Sequence, residues 1–296
     1  MKTLKHLFTA LLLMCATMAT AHDFEVSGIY YNITDATNKT VAVTYRGGAY
    51  YDYSNEYTGS VVIPESVTYN GTTYSVTSIW DYAFYNCTGL TSIAIPNSVT
   101  SIGNNAFYSC SKLVSVVIPN SVTTLGENAF CACYGLTNVV ISSGITRLER
   151  SVFDTCYNLT SVEIPDGVTS IGKWAFSNCY ALKSVTIPNS VTTIEEAAFS
   201  VCRELTNIVI PSSVTNIGAR AFGQCNKLAG IVVDAENTVY DSRDNCNAII
   251  KTSTNTLICG SNETVIPNSV TRIGDNAFTE RTGLTSIEIP NSITNI

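Results

Sequence analysis

Apolar positions return along this chain with a period far longer than that of a helix or a strand. Phe84, Phe107, Phe130, Phe153, Phe176, Phe199 and Phe222 stand 23 residues apart, and Leu90, Leu113, Leu136, Leu159, Leu182, Leu205 and Leu228 keep the same step. So do Cys87, Cys110, Cys133, Cys156, Cys179, Cys202 and Cys225. A period in this range is the mark of a stacked repeat in which each unit is one coil. The unit has the form C-x-x-L-x-x-[IV]-x-I-P-x-S-V-T-x-I-G-x-x-A-F.

Within one unit, alternation around Ile93 and Ile95 in Leu90-Thr91-Ser92-Ile93-Ala94-Ile95 predicts a short strand with its apolar side inward. Pro96-Asn97-Ser98 turns the chain, since proline presets φ and asparagine tolerates unusual backbone angles. Val99 and Ile102 return to the core, and Ala106, Phe107 and Cys110 close the coil as a single helical or 3₁₀ turn. One coil cannot bury its own apolar face, so stability must come from stacking, with parallel strands about 4.8 Å apart. The predicted fold is a solenoid with an N-terminal β cap.

The pattern divides the chain. Lys2 and Lys5, the apolar stretch from Leu7 to Met14, and Ala19-Thr20-Ala21 make residues 1–21 a secretory signal peptide cleaved before His22. Cys15 invites a lipoprotein reading, but Met14 is too large to precede a lipidated cysteine. Residues 22–75 lack the repeat and read as the β cap and an irregular first repeat, with Ile63-Pro64 as an early strand and turn. Residues 76–233 form the regular array, 234–262 an irregular repeat with strands at Ala248-Ile249-Ile250 and Thr256-Leu257-Ile258, and 263–296 further repeats. Stopping at Ile296, in mid-coil, the sequence reads as a truncated chain or fragment.

The unit, as in Leu113 to Cys133 and Leu159 to Cys179, resembles the BspA-like leucine-rich-repeat family of bacterial surface proteins. The resemblance implies a right-handed solenoid, a place on the cell surface, and adhesion to host proteins or other cells. It brings no catalytic residues. Ser142 in place of proline, and Glu149 and Glu195 in place of glycine, depart from the pattern at local turns.

Charge and chemistry then narrow the function. Losing Lys2 and Lys5 with the signal leaves 14 basic against 23 acidic residues, a net charge of −9, which disfavours nucleic acid and anionic membranes as partners. No later stretch reaches the roughly 18 apolar residues a membrane span requires. His22 is the single histidine after the signal, so imidazole-based catalysis and histidine-rich zinc sites have no material. Glu163 and Glu288 would lie about 24 Å apart, too far for a glycosidase pair. No enzyme, cofactor or metal is expected.

The cysteine column admits disulfides, a thiolate metal site, or simple packing of small buried residues. Packing is favoured, because side chains on successive rungs lie alongside rather than toward each other. Cys131, Cys246 and Cys259 fall outside the column, and the last two are candidates for a disulfide across the irregular segment. Tyr134, Tyr157 and Tyr180 each follow a column cysteine and predict an aromatic stripe flanked by Arg203, with Trp174 as another anchor. Tyrosine combines contact area with a polar tip, which suits recognition, although the same stacking could merely stabilise a coil edge. The outward strand positions, from Ser92 and Ala94 to Asn207 and Val209, predict a smooth and nearly uncharged sheet. The function expected is an exported binding or adhesion surface for a protein or glycan partner; the alternative is a structural spacer within a larger surface protein.

Overall fold

The computed structural model describes residues 22–52 and 55–296, so residues 1–21, expected to be a signal peptide, lie outside the described residues. The repeats stack as a solenoid. Leu90–Ala94 pairs in parallel with Gly59–Val62, Asn138–Val140 with Ser115–Val117, Ser184–Thr186 with Ser161–Glu163, and Gly230–Val233 with Asn207–Ile210. From Ser115 onward the register is one repeat per rung, as in Val116 against Val139 and Val162 against Val185.

Each coil also carries a second, two-residue strand that the sequence pattern did not show. Ser101–Ile102 pairs with Thr124–Leu125, and Arg147–Leu148, Ser170–Ile171, Thr193–Ile194 and Asn216–Ile217 pair in parallel series. Two residues are too few for alternation to register, and only the stacked neighbour makes them a strand.

The closing segment differs from the single helical or 3₁₀ turn expected. In the coil around Phe130, Ala129 N–H donates to Gly126 O, Cys131 to Asn128 and Cys133 to Phe130, overlapping turns that advance two residues at a time. The intervening N–H groups of Asn128, Phe130 and Ala132 donate to Arg150, Val152 and Asp154 of the next coil at 2.8–2.9 Å. Left-handed residues, here Asn128 and Ala132, recur at both columns in every regular coil and stop the turns from winding into a helix. Half the donors therefore serve the coil itself and half tie it to its neighbour.

Side chains follow the same columns. The rings of Phe84 to Phe222 stack with centroids 4.8–5.7 Å apart and interplanar angles of 3–14°. All seven rings are fully buried. Glu149 and Glu195 are each flanked by coils with glycine in that column, Gly126, Gly172 and Gly218. A Cβ at Gly172 would come within 2.6 Å of Leu148 O, and one at Gly218 within 2.4 Å of Glu196 N, so at these two positions the backbone of the preceding coil approaches too closely for a side chain.

At the N-terminal side, Phe24–Val26, Ile29–Asp35 and Thr40–Thr44 form antiparallel pairs, and the last joins Thr72–Ile79 in parallel. Ser66–Tyr69 folds back on Thr72–Ile79 through Asn70-Gly71, both at positive φ, as a two-residue hairpin requires. The expected irregular segment contains Tyr240–Asp241, Ala248–Lys251 and Thr256–Gly260 as an antiparallel meander, which re-enters the array where Thr256 and Leu257 pair with Arg272 and Ile273. Here the core splits: Cys246, Ala248, Ile250, Leu257, Val270 and Ile273 belong to a second cluster. The phenylalanine stack ends at Phe222, for Phe278 lies instead against Gly260, where a Cβ would meet its ring at 2.0 Å.

Candidate functional site

The cysteine column is an internal brace. From Cys110 onward each column thiol donates to the phenylalanine carbonyl of the preceding coil: Cys110 to Phe84 at 3.1 Å, Cys133 to Phe107 at 3.2 Å, Cys156 to Phe130 and Cys179 to Phe153 at 3.3 Å. Cys202 and Cys225 repeat the contact onto Phe176 and Phe199. All seven are free thiols and fully buried, and burial pushes the thiols of Cys87, Cys110, Cys133, Cys156, Cys179 and Cys202 far above their ordinary pKa. A neutral buried thiol is a packing residue with a weak donor, not a nucleophile or a metal ligand. Cys246 and Cys259 are likewise free, correcting the disulfide considered for them; they face different clusters, Cys246 the second core and Cys259 the main one.

After the irregular segment the column changes residue. Arg281 stands three residues after Phe278, the cysteine's place, and is 6% exposed. Its guanidinium donates to Phe222 O at 2.8 Å, Cys225 O at 2.6 Å and Gly260 O at 2.9 Å, and approaches Cys259 Sγ at 3.5 Å. The sequence signal was available, since Arg281 keeps the column's offset from both Phe278 and Leu284.

On the surface the predicted aromatic row is assembled. Tyr134 and Tyr157 stack at 5.0 Å and 11°, Tyr157 and Tyr180 at 4.6 Å and 14°, and the Arg203 guanidinium lies 4.2 Å over the Tyr180 ring. Backbone bonds hold the column in register: Ala181 N–H donates to Tyr157 O at 3.0 Å and Glu204 N–H to Tyr180 O at 3.2 Å, while the Asn158 side chain donates to Tyr134 O at 2.7 Å. Burial and the neighbouring phenols raise the pKa of Tyr157. Tyr157 and Tyr180 are covered on both faces by their stacked neighbours, so a partner meets their edges and hydroxyls. Tyr134 is the most open, 39% exposed.

Trp174 is not brought to this row. It sits at positive φ, with Arg150 4.6 Å and Lys173 4.4 Å from its ring, and Lys173 is in turn paired with Glu196 at 2.8 Å. Its ring is already engaged by two cations. A second aromatic group escaped the sequence reading: Tyr50 stacks on Tyr82 at 4.0 Å, and Tyr85 on Tyr108 at 5.2 Å. Tyr85 and Tyr108 each follow a column phenylalanine, so the 23-residue step could have revealed them. The outward strand face is as expected, with Val117 and Val140 open to solvent and Glu163 the charged residue among them.

Among the described residues no group of three His, Cys, Asp or Glu side chains could hold a metal, and no helix is long and apolar enough to cross a membrane.

The fold and its columns define a leucine-rich-repeat protein. The BspA type leucine-rich repeat region matches in six copies over residues 65–180, 146–258 and 257–296, and the chain belongs to that family. A leucine-rich cell surface protein of Faecalibacterium prausnitzii is 35% identical over 92% of this chain and 72% of its own, with a TM-score of 0.78. A leucine-rich-repeat protein of T. pallidum is 25% identical over 69% of this chain and 90% of its own, TM-score 0.57. The pneumococcal vaccine antigen PcpA shares the fold at 20% identity over 91% of this chain and 70% of its own, TM-score 0.57. No curated protein matches the chain.

Proposed function

We propose that this protein is exported by the signal in residues 1–21 and acts at the bacterial surface as an adhesion module for a macromolecular partner, protein or glycan. The strands at 22–75 cap the array, residues 76–233 carry the binding surface, and the coils at 263–296 extend it past the irregular segment 234–262. Kinship with the F. prausnitzii cell surface protein supports the surface location.

The observation that carries the reading is the ordered row of Tyr134, Tyr157 and Tyr180 closed by Arg203. Pre-stacked rings lose little side-chain freedom on binding, which makes them good anchors. Their edge-on presentation suits backbone carbonyls and carboxylates of a protein better than the C–H face of a sugar. The acidic balance of the chain disfavours nucleic acid.

The test is capture of immobilised host matrix glycoproteins by the purified protein and by a variant with Tyr134, Tyr157 and Tyr180 all changed to alanine. A loss of about tenfold or more in affinity, with the unfolding temperature little changed, is expected. Equal binding by the variant sinks the row as the site, and failure of the wild type to bind any of them favours the spacer.

A further inference from the structure

Trp80 occupies the column that holds Gly103 and Gly126 in the next two coils. Those glycines are obligatory, since a Cβ at Gly103 would come within 2.3 Å of the Asp81 carboxylate and one at Gly126 within 2.5 Å of Asn104 N. Beside the indole runs an open trough of about 640 Å³, lined by Gly103 and Gly126 together with Ser78, Ser101, Asn104 and Thr124. Tyr45 and Tyr82 complete its aromatic wall.

Three features set this trough apart from the tyrosine row. Trp80 is 42% exposed, and among the described residues no other ring or cation lies against its face, unlike Trp174. The Asp81 carboxylate is pre-oriented at the edge: Oδ1 accepts from Asn104 N–H at 2.7 Å and Oδ2 from Asn104 Nδ2 at 3.3 Å. Finally, no lysine or arginine is among the described residues that line the trough.

From this geometry we infer that the trough around Trp80 is a carbohydrate-binding site for a neutral oligosaccharide. An open indole face takes the apolar C–H face of a pyranose ring. A carboxylate and an amide beside it accept from and donate to neighbouring hydroxyls, which carry both functions. A shallow trough admits one sugar of a longer chain. Anionic sugars are disfavoured, because Asp81 would face them with no cation alongside. The site is independent of the tyrosine row and stands or falls separately from it.

The chain has two tryptophans, so a Trp174→Phe background makes fluorescence report on Trp80 alone. In that background the protein is titrated with cellopentaose, maltopentaose, xylopentaose and mannopentaose, and with a sulfated heparin oligosaccharide. At least one neutral pentasaccharide should shift the emission and bind better than the sulfated one. By calorimetry on the otherwise wild-type chain, Trp80→Gly, which installs the residue neighbouring coils carry, should weaken binding about tenfold or more. Trp80→Tyr should retain part of it, and Asp81→Asn should weaken it. The triple tyrosine variant should bind the sugar normally. Absence of binding by all four neutral sugars, tighter binding of the sulfated one, or unchanged affinity in a folded Trp80→Gly protein overturns the proposal.

Discussion

The Arg281 guanidinium donates to the carbonyl of Cys225, the last cysteine of the column, at 2.6 Å across the irregular segment that separates them. In the regular coils one weak S–H donor spans adjacent rungs; where the meander intervenes, a longer side chain with several donors makes the connection.

Replacing Arg281 by methionine should therefore destabilise the protein by about 2–4 kcal/mol, because buried carbonyls of Phe222, Cys225 and Gly260 lose their donor together. Urea unfolding should show the second core melting before the first, since the two clusters then lack this tie. A single unchanged transition would show that Arg281 does not couple them.

The buried thiols predict a fall in stability at alkaline pH. Burial raises the folded pKa of Cys87 and Cys131 up to about 12 and that of most column cysteines further. Above the ordinary thiol pKa, about 8.5, the unfolded chain releases protons that the folded chain keeps, so each thiol's contribution is full below that pH and shrinks as pH rises. The unfolding free energy should be level from pH 7 to about 8.5 and then decline, by up to about 1.4 kcal/mol per pH unit for each such thiol. Midpoints that rise with pH over this window would contradict the buried, neutral state. The same burial should keep the native column cysteines from reacting with thiol reagents until the chain is unfolded.

The two faces of a coil should respond very differently to truncation. Phe176→Ala removes a fully buried ring from the middle of a continuous stack and should cost about 3–5 kcal/mol. Ser161→Ala, on the outward strand face, should stay within about 0.5 kcal/mol. Comparable losses for both would mean the faces are assigned wrongly.

Much of this was legible in the residues. A period of 23 is strict enough that phenylalanine, leucine and cysteine columns follow from spacing alone, and equal positions in equal coils must lie above one another once the coils stack. The row Tyr134, Tyr157, Tyr180 and Arg203 was legible for the same reason. The second strand of each coil was not, nor the left-handed residues of the closing turns, because neither leaves a hydrophobic period.

What repetition dictates, then, is the stacked coil and the identity of its columns, since burying a recurrent apolar set admits one economical arrangement. What only the tertiary structure decided is everything that depends on a break in the repeat. Trp80 lines a trough together with Gly103 and Gly126 of its own column, Trp174 is engaged by cations from its own and the preceding coil, and Arg281 meets carbonyls on both sides of the meander. The period shows where Trp80 and Arg281 stand in their columns, but not which carbonyls, rings or cations they meet; the packed chain alone brings those together.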